Sequence, residues 1–488
     1  MNNNVFTVHS QTSSIVNPVR RLVAGISQGI RVVVRHIPTL AVESVFTALD
    51  NIERLRWSAD GSFLIAVVSS QAVLHVWSVD DPEWVCRIDA GLTGISDARG
   101  HPRIPSIVLV YSEFNLKVDV WNLRSEARTS LRDVKANFEM VVSNGGRHAL
   151  MLTSRSGQDT VHILDLETRN VELHFSIIHS VPLSSRADIA GVCWTYCDDG
   201  IIAWESALYS WVYQYDLAGR LLKRLNLFEG EDAPPQLGIR TVVHSNSVVA
   251  FGCFDNKLRL YSVKNALALL AVFSLQSNQV IVTDGSPVVF RVTLGGAATA
   301  RDRNVYSLGG GNVNGFPVEY KEIIPDDSTI SDLGMVELPN THPVSPPTHL
   351  AGKAAIAIGP PAGGISTMRL SQDGLYLAVV SDLRPSVVYV YDILKVALIA
   401  LLVHRLPVRD FQWSPVELAK RNRLAIVTGD ANLFTWTPTN DSRAFALKDT
   451  SFKPVLVSWG HDGKHVIVSE ADRIGCIGIS VEVGHTGG

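Results

Sequence analysis

The sequence predicts an all-β protein, a β-propeller of about nine four-stranded repeat units closed either as one large ring or as two incomplete ones. Three observations carry this reading. A short turn motif recurs along the chain, an alternating apolar segment follows each copy, and the copies return at a spacing near 44 residues. The chain has 488 residues, of which 46% are hydrophobic and 18% charged, a globular rather than a disordered composition. At roughly 150 residues per domain it would make about three ordinary domains. The repeat argues instead for one iterated architecture.

The turn motif couples a strand ending in Trp-Ser, or a relative of it, to Asp-Gly. It reads Leu55-Arg56-Trp57-Ser58-Ala59-Asp60-Gly61, then Val192-Cys193-Trp194-Thr195 ahead of Asp199-Gly200, then Met368-Arg369-Leu370-Ser371-Gln372-Asp373-Gly374. Further copies are Phe411-Gln412-Trp413-Ser414 and Val457-Ser458-Trp459-Gly460-His461-Asp462-Gly463. Asp-Gly between apolar runs signals a tight hairpin, and the expected form is a type I′ turn with positive φ at both central residues.

The second segment alternates apolar and polar side chains and ends in an aromatic residue. Examples are Val73-Leu74-His75-Val76-Trp77-Ser78, Leu116-Lys117-Val118-Asp119-Val120-Trp121-Asn122 and Leu433-Phe434-Thr435-Trp436. Period-two alternation with β-branched and aromatic residues marks half-buried strands. Trp77 and Trp121 are 44 residues apart, and a four-stranded unit every ~40–45 residues is the WD-repeat spacing. Trp77, Trp121 and Trp436 are expected to fill the space between stacked blades. Trp57, Asp60, Trp194, Trp413 and Trp459 are the matching repeat positions at the turns. Val5-Phe6-Thr7-Val8 has the pattern of an outer strand that closes the last unit.

Units one to six are expected within residues 1–263 and units seven to nine within 366–488. Between them, 264–365 reads as a loop-rich insertion, with Gly309-Gly310-Gly311, Pro346-Pro347 and Pro360-Pro361 as breakers. Residues 280–282 and 288–292 are its candidate strands.

The formal charge of −4 and pI ≈ 6.4 speak against a nucleic-acid-binding chain. No apolar run approaches the ~18 residues of a membrane span. The start lacks a secretory leader, and five scattered cysteines make no disulfide framework, so a reducing, cytoplasmic setting is expected. Cys193 with Cys197 and His461 with His465 have a ligand-like spacing, yet a metal site would need two more ligands converging on them. Gly309–Gly315 lacks the Gly-Lys-Ser/Thr of a phosphate loop. No catalytic residue, cofactor, metal or small-molecule substrate is therefore expected. Pro82-Glu83-Trp84 stands apart, because a large aromatic in a connecting loop is either a staple over the blade edge or an interaction anchor. Glu83, Trp84 and Arg87 are the candidate partner-contact residues.

Several stretches resemble one family. They are Ala48-Leu49-Asp50-Asn51-Ile52-Glu53-Arg54-Leu55-Arg56-Trp57-Ser58, the run Pro82-Glu83-Trp84-Val85-Cys86-Arg87-Ile88-Asp89, and Pro407-Val408-Arg409-Asp410-Phe411-Gln412-Trp413. Gln236-Leu237-Gly238-Ile239-Arg240 and Leu433-Phe434-Thr435-Trp436-Thr437-Pro438 add to them. Together they resemble the WD repeat-containing protein eight family of centrosomes and spindle poles, from about residue 15 to 480, with the insertion poorly matched. The resemblance implies a non-catalytic scaffold that anchors microtubule minus ends and supports spindle assembly. Its implied partners are a coiled-coil anchoring protein and a minus-end-directed kinesin of the fourteenth class.

Two rival readings follow from other features. Trp121-Asn122-Leu123-Arg124 is similar to the W-D-x-R element of cullin-type ubiquitin-ligase substrate receptors, with Asn in place of Asp. Translation-factor-like propellers are the other comparison, since large nine-unit propellers occur there. In the third unit, residues 94–105 lack the Trp-Ser-x-Asp-Gly turn altogether.

Overall fold

Second strands of the repeat are nearly continuous apolar runs, such as Phe63–Val68 and Val248–Cys253, and they are buried on both faces. A single four-stranded sheet cannot achieve that alone, so its faces must be covered by neighbouring sheets. The computed structural model shows this arrangement. It describes residues 9–479 apart from 276–287, 294–333 and 338–362 and shorter stretches at 11, 116, 136–139, 167–175, 184–187, 206, 230–236, 265–266, 416–421, 439–442, 448 and 472. The expected strand Val5–Val8, residues 280–282 and Gly309–Gly315 lie outside the described residues.

Among the described residues the strands form nine antiparallel-core sheets, the blades of a β-propeller fold. Blade 1 runs Thr12–Val16, Leu22–Ser27, Arg31–His36, Val42–Thr47, and blade 2 runs Arg54–Trp57, Phe63–Val68, Val73–Ser78, Val85–Asp89. Blade 3 starts at Asp97–Gly100, blade 4 at Val141–Val142, blade 5 at Ile189–Trp194, blade 6 at Ile239–His244, blade 7 at Ile365–Leu370 and blade 8 at Asp410–Trp413. Blade 9 takes Leu456–Trp459, His465–Ser469 and Arg473–Gly478, and His9–Ser10 pairs antiparallel with its outer strand, His9 opposite Ile474. The closing strand thus includes the residues just after Val8.

The chain divides into two compact units, Met1–Ser206 with Trp211–Glu229 and Ser458–Gly488, and Ala207–Ser210 with Gly230–Val457. In the first, blades 1 and 2 share a core in which Trp77 stacks on Phe46 at 5.4 Å and on His75 at 5.5 Å. Trp77 is 3% exposed, so it fills the space between the two sheets. In the second, one core spans blades 6, 7 and 8 and includes Trp436 and Trp413.

Hydrogen bonds tie successive inner strands together in a repeating way. The indole N–H of Trp57 donates to the Ile15 carbonyl (3.2 Å), that of Trp194 to Val141 (3.0 Å) and that of Trp413 to Arg369 (3.0 Å). Each acceptor sits on the first strand of the preceding blade, two residues before the position equivalent to Ser58. Cation–carboxylate pairs also link successive blades, two of them between first strands and one from a first strand to the turn after Tyr376–Ser381. Arg56 reaches Asp97 (3.0 Å), Arg369 reaches Asp410 (2.8 Å) and Arg240 reaches Asp382. A Trp-Ser strand end is therefore both core and latch: the ring is buried, and its one polar atom meets the neighbouring backbone, as a buried indole requires.

The Asp-Gly turn differs from the expected type I′ form. Gly61, Gly374 and Gly463 have φ of 70°, 70° and 61°, whereas Asp60, Asp373 and Asp462 are not in the left-handed region. The hairpin is wider, closed by Ser58 N donating to the Phe63 carbonyl (2.9 Å) and Gly61 N to the Ser58 carbonyl (2.9 Å). The reason is the Asp side chain. Asp60 accepts from the Ser58 hydroxyl (2.6 Å), the Ser62 hydroxyl (2.7 Å) and the Ser62 amide (3.1 Å), while the Ser58 hydroxyl accepts from Phe63 N (2.9 Å). Asp373 repeats the pattern with Ser371, Leu375 and Tyr376. Glycine is required at the closing position: a Cβ on Gly61 would lie 2.1 Å from Asn17 Oδ1 of blade 1.

Blade 3, which lacks the motif, solves the same problem with histidine. His101 is buried and its Nδ1 accepts from the amides of Arg103 (3.1 Å) and Ile104 (3.0 Å), so this ring carries its proton on Nε2.

The boundary expected at residue 264 moves by one strand. Ala268–Ser274 pairs with Lys257–Ser262 and completes blade 6. Its Leu269, Leu270 and Val272 face solvent, so its apolar run has no alternation to mark it as an outer strand. Of the insertion's candidate strands, Val288–Thr293 joins blade 7, pairing in parallel with the outer strand Ala397–Val403, and Gly334–Glu337 pairs outside it. Blade 7 therefore has six strands. The outer strands of blades 6 and 7, ALLAVFS and ALIALLV, carry no charge, unlike those of blades 1, 2, 3 and 5. An uncharged edge is the kind that accepts another strand, and on blade 7 the chain supplies one itself.

Candidate interaction surface

The loop between the third and fourth strands of blade 2 presents Glu83 and Trp84, and Arg87 follows on the fourth strand itself. The loop is shaped by Trp84 N donating to the Asp81 carbonyl (3.0 Å) and by Asp81 N donating to the Ser78 hydroxyl (3.2 Å). Trp84 is half-buried and meets Phe63 with ring centroids 5.2 Å apart at 59°, on the core shared by blades 2 and 3. Glu83 and Arg87 are exposed. The ring thus rests with Cys86 and Ile88 on the core shared with blade 3, while Arg87 lies on the other face of its strand, opposite His75.

Trp121 is half-buried as well, with the Arg128 guanidinium 5.3 Å above its ring, and Arg128 is held by Asp119 at 2.7 Å. In the following turn the Asn122 side chain accepts from the amide of Arg124 (2.9 Å), which leaves Arg124 exposed. Asn122 therefore does as a turn cap what an aspartate would do. Trp459 is 5% exposed on the inner strand of blade 9.

The ligand-like pairs do not converge. Cys193 is buried on the first strand of blade 5 while Cys197 is exposed in the turn beyond it. His465 Nδ1 bonds Asp462 Oδ2 at 2.8 Å, and that carboxylate, held below the usual range by its hydrogen bonds against the effect of burial, also pairs with Arg21. No group of three or more metal-capable side chains occurs among the described residues. Burial pushes the Cys193 and Cys476 thiols up to about 12. We expect a maleimide to label Cys197 rapidly in the native protein and Cys86 slowly, with Cys193, Cys253 and Cys476 reacting only after denaturation. Mass spectrometry of the labelled peptides checks this, and rapid labelling of Cys193 would contradict it.

The nearest approach to a nucleophile and base is in blade 4, where His162 Nδ1 meets the Ser180 hydroxyl at 2.8 Å. Its Nε2 meets the Thr153 hydroxyl (2.9 Å) rather than a carboxylate, so the group that would stabilise an imidazolium in a triad is replaced by a neutral one. In blade 5 burial pushes the Glu205 carboxyl up against the hydrogen bond it accepts from Tyr213 (2.8 Å), but this acid is enclosed among strand residues. Large apolar side chains are exposed on outer strands, as at Leu269 and Leu270, and most fully in two turns. Leu92 and Phe114, which strand periodicity could not single out, are 109% and 87% exposed.

WD repeat-containing protein WRAP73 of Mus musculus is 28% identical over 467 residues, covering 91% of this chain and 88% of the mouse protein. The fold is that of a WD-repeat β-propeller. No family model matches it. Among solved structures, the C-terminal WD40 domain of Sif2 aligns with a TM-score of 0.48 and 11% identity, covering 97% of each chain. The Cps50 (Swd1) β-propeller domain of Myceliophteria thermophila aligns with a TM-score of 0.32 and 17% identity over 56% of this chain and 89% of that one. WD-repeat propellers are typically non-catalytic platforms on which other proteins dock, rigid enough that little ordering entropy is lost on binding. Among the described residues no helix is long and apolar enough to cross a membrane.

Proposed function

We propose that this WD-repeat chain is a cytoplasmic, non-catalytic scaffold of the centrosome or spindle pole. In this reading it anchors microtubule minus ends and supports spindle assembly by binding a coiled-coil anchoring protein and a minus-end-directed kinesin. The observation that carries it is the 28% identity to WRAP73 along 91% of the chain, which joins the separate stretches of resemblance into one alignment. Glu83 and Trp84 of the loop and Arg87 of the strand that follows are its candidate contact for the coiled-coil protein, offering a half-buried aromatic ring and two exposed charges of opposite sign. Affinity purification of the tagged protein, with imaging of the tag through mitosis, tests the reading. Enrichment at poles together with recovery of a coiled-coil pole protein is the expected result. Diffuse signal throughout mitosis would refute it. Glu83→Lys with Arg87→Glu, both at exposed positions, should weaken that recovery while leaving the fold intact; unchanged recovery would remove this loop from the contact.

A further inference from the structure

A second surface lies at the opposite ends of the strands, where loops of blades 1, 2 and 3 are tied into one rim. Residues 48–53 lead from blade 1 to blade 2, and Asp50 accepts there from the Ser70 hydroxyl (3.1 Å) and the Gln71 amide (3.3 Å). The turn Ser69–Gln71 is joined onward by Ala90 N donating to the Ala72 carbonyl (3.0 Å). Next comes the turn Gly91–Thr93, and at Gly94 an added Cβ would lie 2.5 Å from the Glu113 side chain of the turn Glu113–Asn115. The four loops are therefore contiguous.

Three of the four expose one large apolar side chain each: Leu49 at 62%, Leu92 at 109% and Phe114 at 87%. Burying such side chains against a partner removes a cost that a free surface bears in water. An aromatic flanked by aliphatic anchors is the usual composition of a binding hot spot.

Charge decides the occupant. Asp97, Asp119, Asp159 and Asp410, on the blades, are each paired with Lys or Arg. On the rim, Glu53 and Asp89 are exposed and Asp50 and Glu113 partly so, and none of the four has a cationic partner among the described residues. The nearby guanidiniums of Arg56 and Arg99 are held by Asp97, and that of Arg54, 53% exposed, lies 3.6 Å from the same carboxylate. The rim thus offers apolar anchors among uncompensated carboxylates.

The geometry points to a docking site for a basic amphipathic helix of a partner protein, its apolar side chains over Leu49, Leu92 and Phe114 and its Lys or Arg side chains against Asp50, Glu53, Asp89 and Glu113. This rests on the reading of the chain as an interaction scaffold and adds the surface and the chemistry of one partner segment.

Two synthetic helical peptides of about 18 residues, long enough for several turns, test it. They share one leucine face and differ in carrying Lys or Glu on the other. Fluorescence anisotropy with the full chain should show saturable binding of the Lys peptide at least about tenfold tighter than that of the Glu peptide. Leu92→Ser with Phe114→Ser should weaken the Lys peptide about tenfold, and Glu53→Lys with Asp89→Lys should reverse the preference. These positions are exposed, so circular dichroism and the melting temperature should stay unchanged. Absence of saturable binding, equal affinity for the two peptides, or indifference to Leu92→Ser with Phe114→Ser would overturn the proposal. So would a concentration-dependent dimer in sedimentation that this double substitution dissolves, because a second copy would then be the occupant. Imaging of the tagged wild-type chain is read separately: loss of pole enrichment refutes the spindle-pole reading and leaves the peptide result standing.

Discussion

Trp413→Ala is expected to destabilise the protein by about 3–5 kcal/mol, the usual range for truncating a buried ring of this size. Trp413 is 6% exposed, stacks on Tyr376 at 6.0 Å and meets Trp436 edge-on at 6.5 Å. Its indole also donates to the Arg369 carbonyl of the preceding blade, which alanine would leave without that donor. Trp413→Phe separates the two contributions, since it keeps most of the ring and loses only the hydrogen bond; about 1–2 kcal/mol should remain. Guanidinium denaturation followed by circular dichroism measures both. A loss below about 1 kcal/mol for the alanine variant would show that the latch and its ring are dispensable.

The second large effect concerns Asp97. Burial would push this carboxyl up, but hydrogen bonds and charge from Arg56 and Arg99 outweigh burial and hold it below the ordinary aspartate range. Its side chain is 12% exposed, whereas those of Arg54, Arg56 and Arg99 are 53%, 38% and 25% exposed, so solvent screens the pairs substantially. Removing the carboxylate leaves three guanidiniums facing one another, and Asp97→Ala should cost about 1–3 kcal/mol at neutral pH. The sign of the pH dependence follows from the depressed value. The contribution is present above the ordinary carboxylate range and is lost as pH falls through the lower value of the folded protein. Wild type should therefore lose stability on acidification below pH 3.8 more steeply than Asp97→Asn. Parallel acid-unfolding curves for the two proteins would refute this account.

Strand positions were legible because strands obey a period. Val73–Ser78 and Asn432–Trp436 are strands as their β-branched and aromatic residues indicate, although they are buried on both faces rather than half-buried, and the recurrence of Trp-Ser gives the unit length. Ala268–Ser274 escaped because both of its faces are apolar, which alternation cannot detect. The turn geometry was misread because Asp-Gly in isolation signals a two-residue hairpin; the wider form depends on Ser58 two residues before Asp60, which turns the carboxylate into an acceptor for the loop itself. Trp57 and Trp413 were recognisable as repeat positions, but their role as donors to the previous blade depends on which strands lie side by side. Leu92 and Phe114 sit in turns, where no period distinguishes an exposed leucine from a buried one.

The pairing of His9–Ser10 with Arg473–Gly478 has a consequence for the order in which this protein can be made. During synthesis the first-emerging strand must wait for a partner more than 460 positions downstream, with Ser14 and Ser469 meeting by the same late encounter. The interior blades can form as they leave the ribosome, but this sheet is completed only once Arg473–Gly478 has been made. Until then the nascent protein carries an unpaired strand at each end. Shortening either end should leave the middle blades folded and expose the other end to proteolysis, so damage at one terminus is sensed at the opposite one.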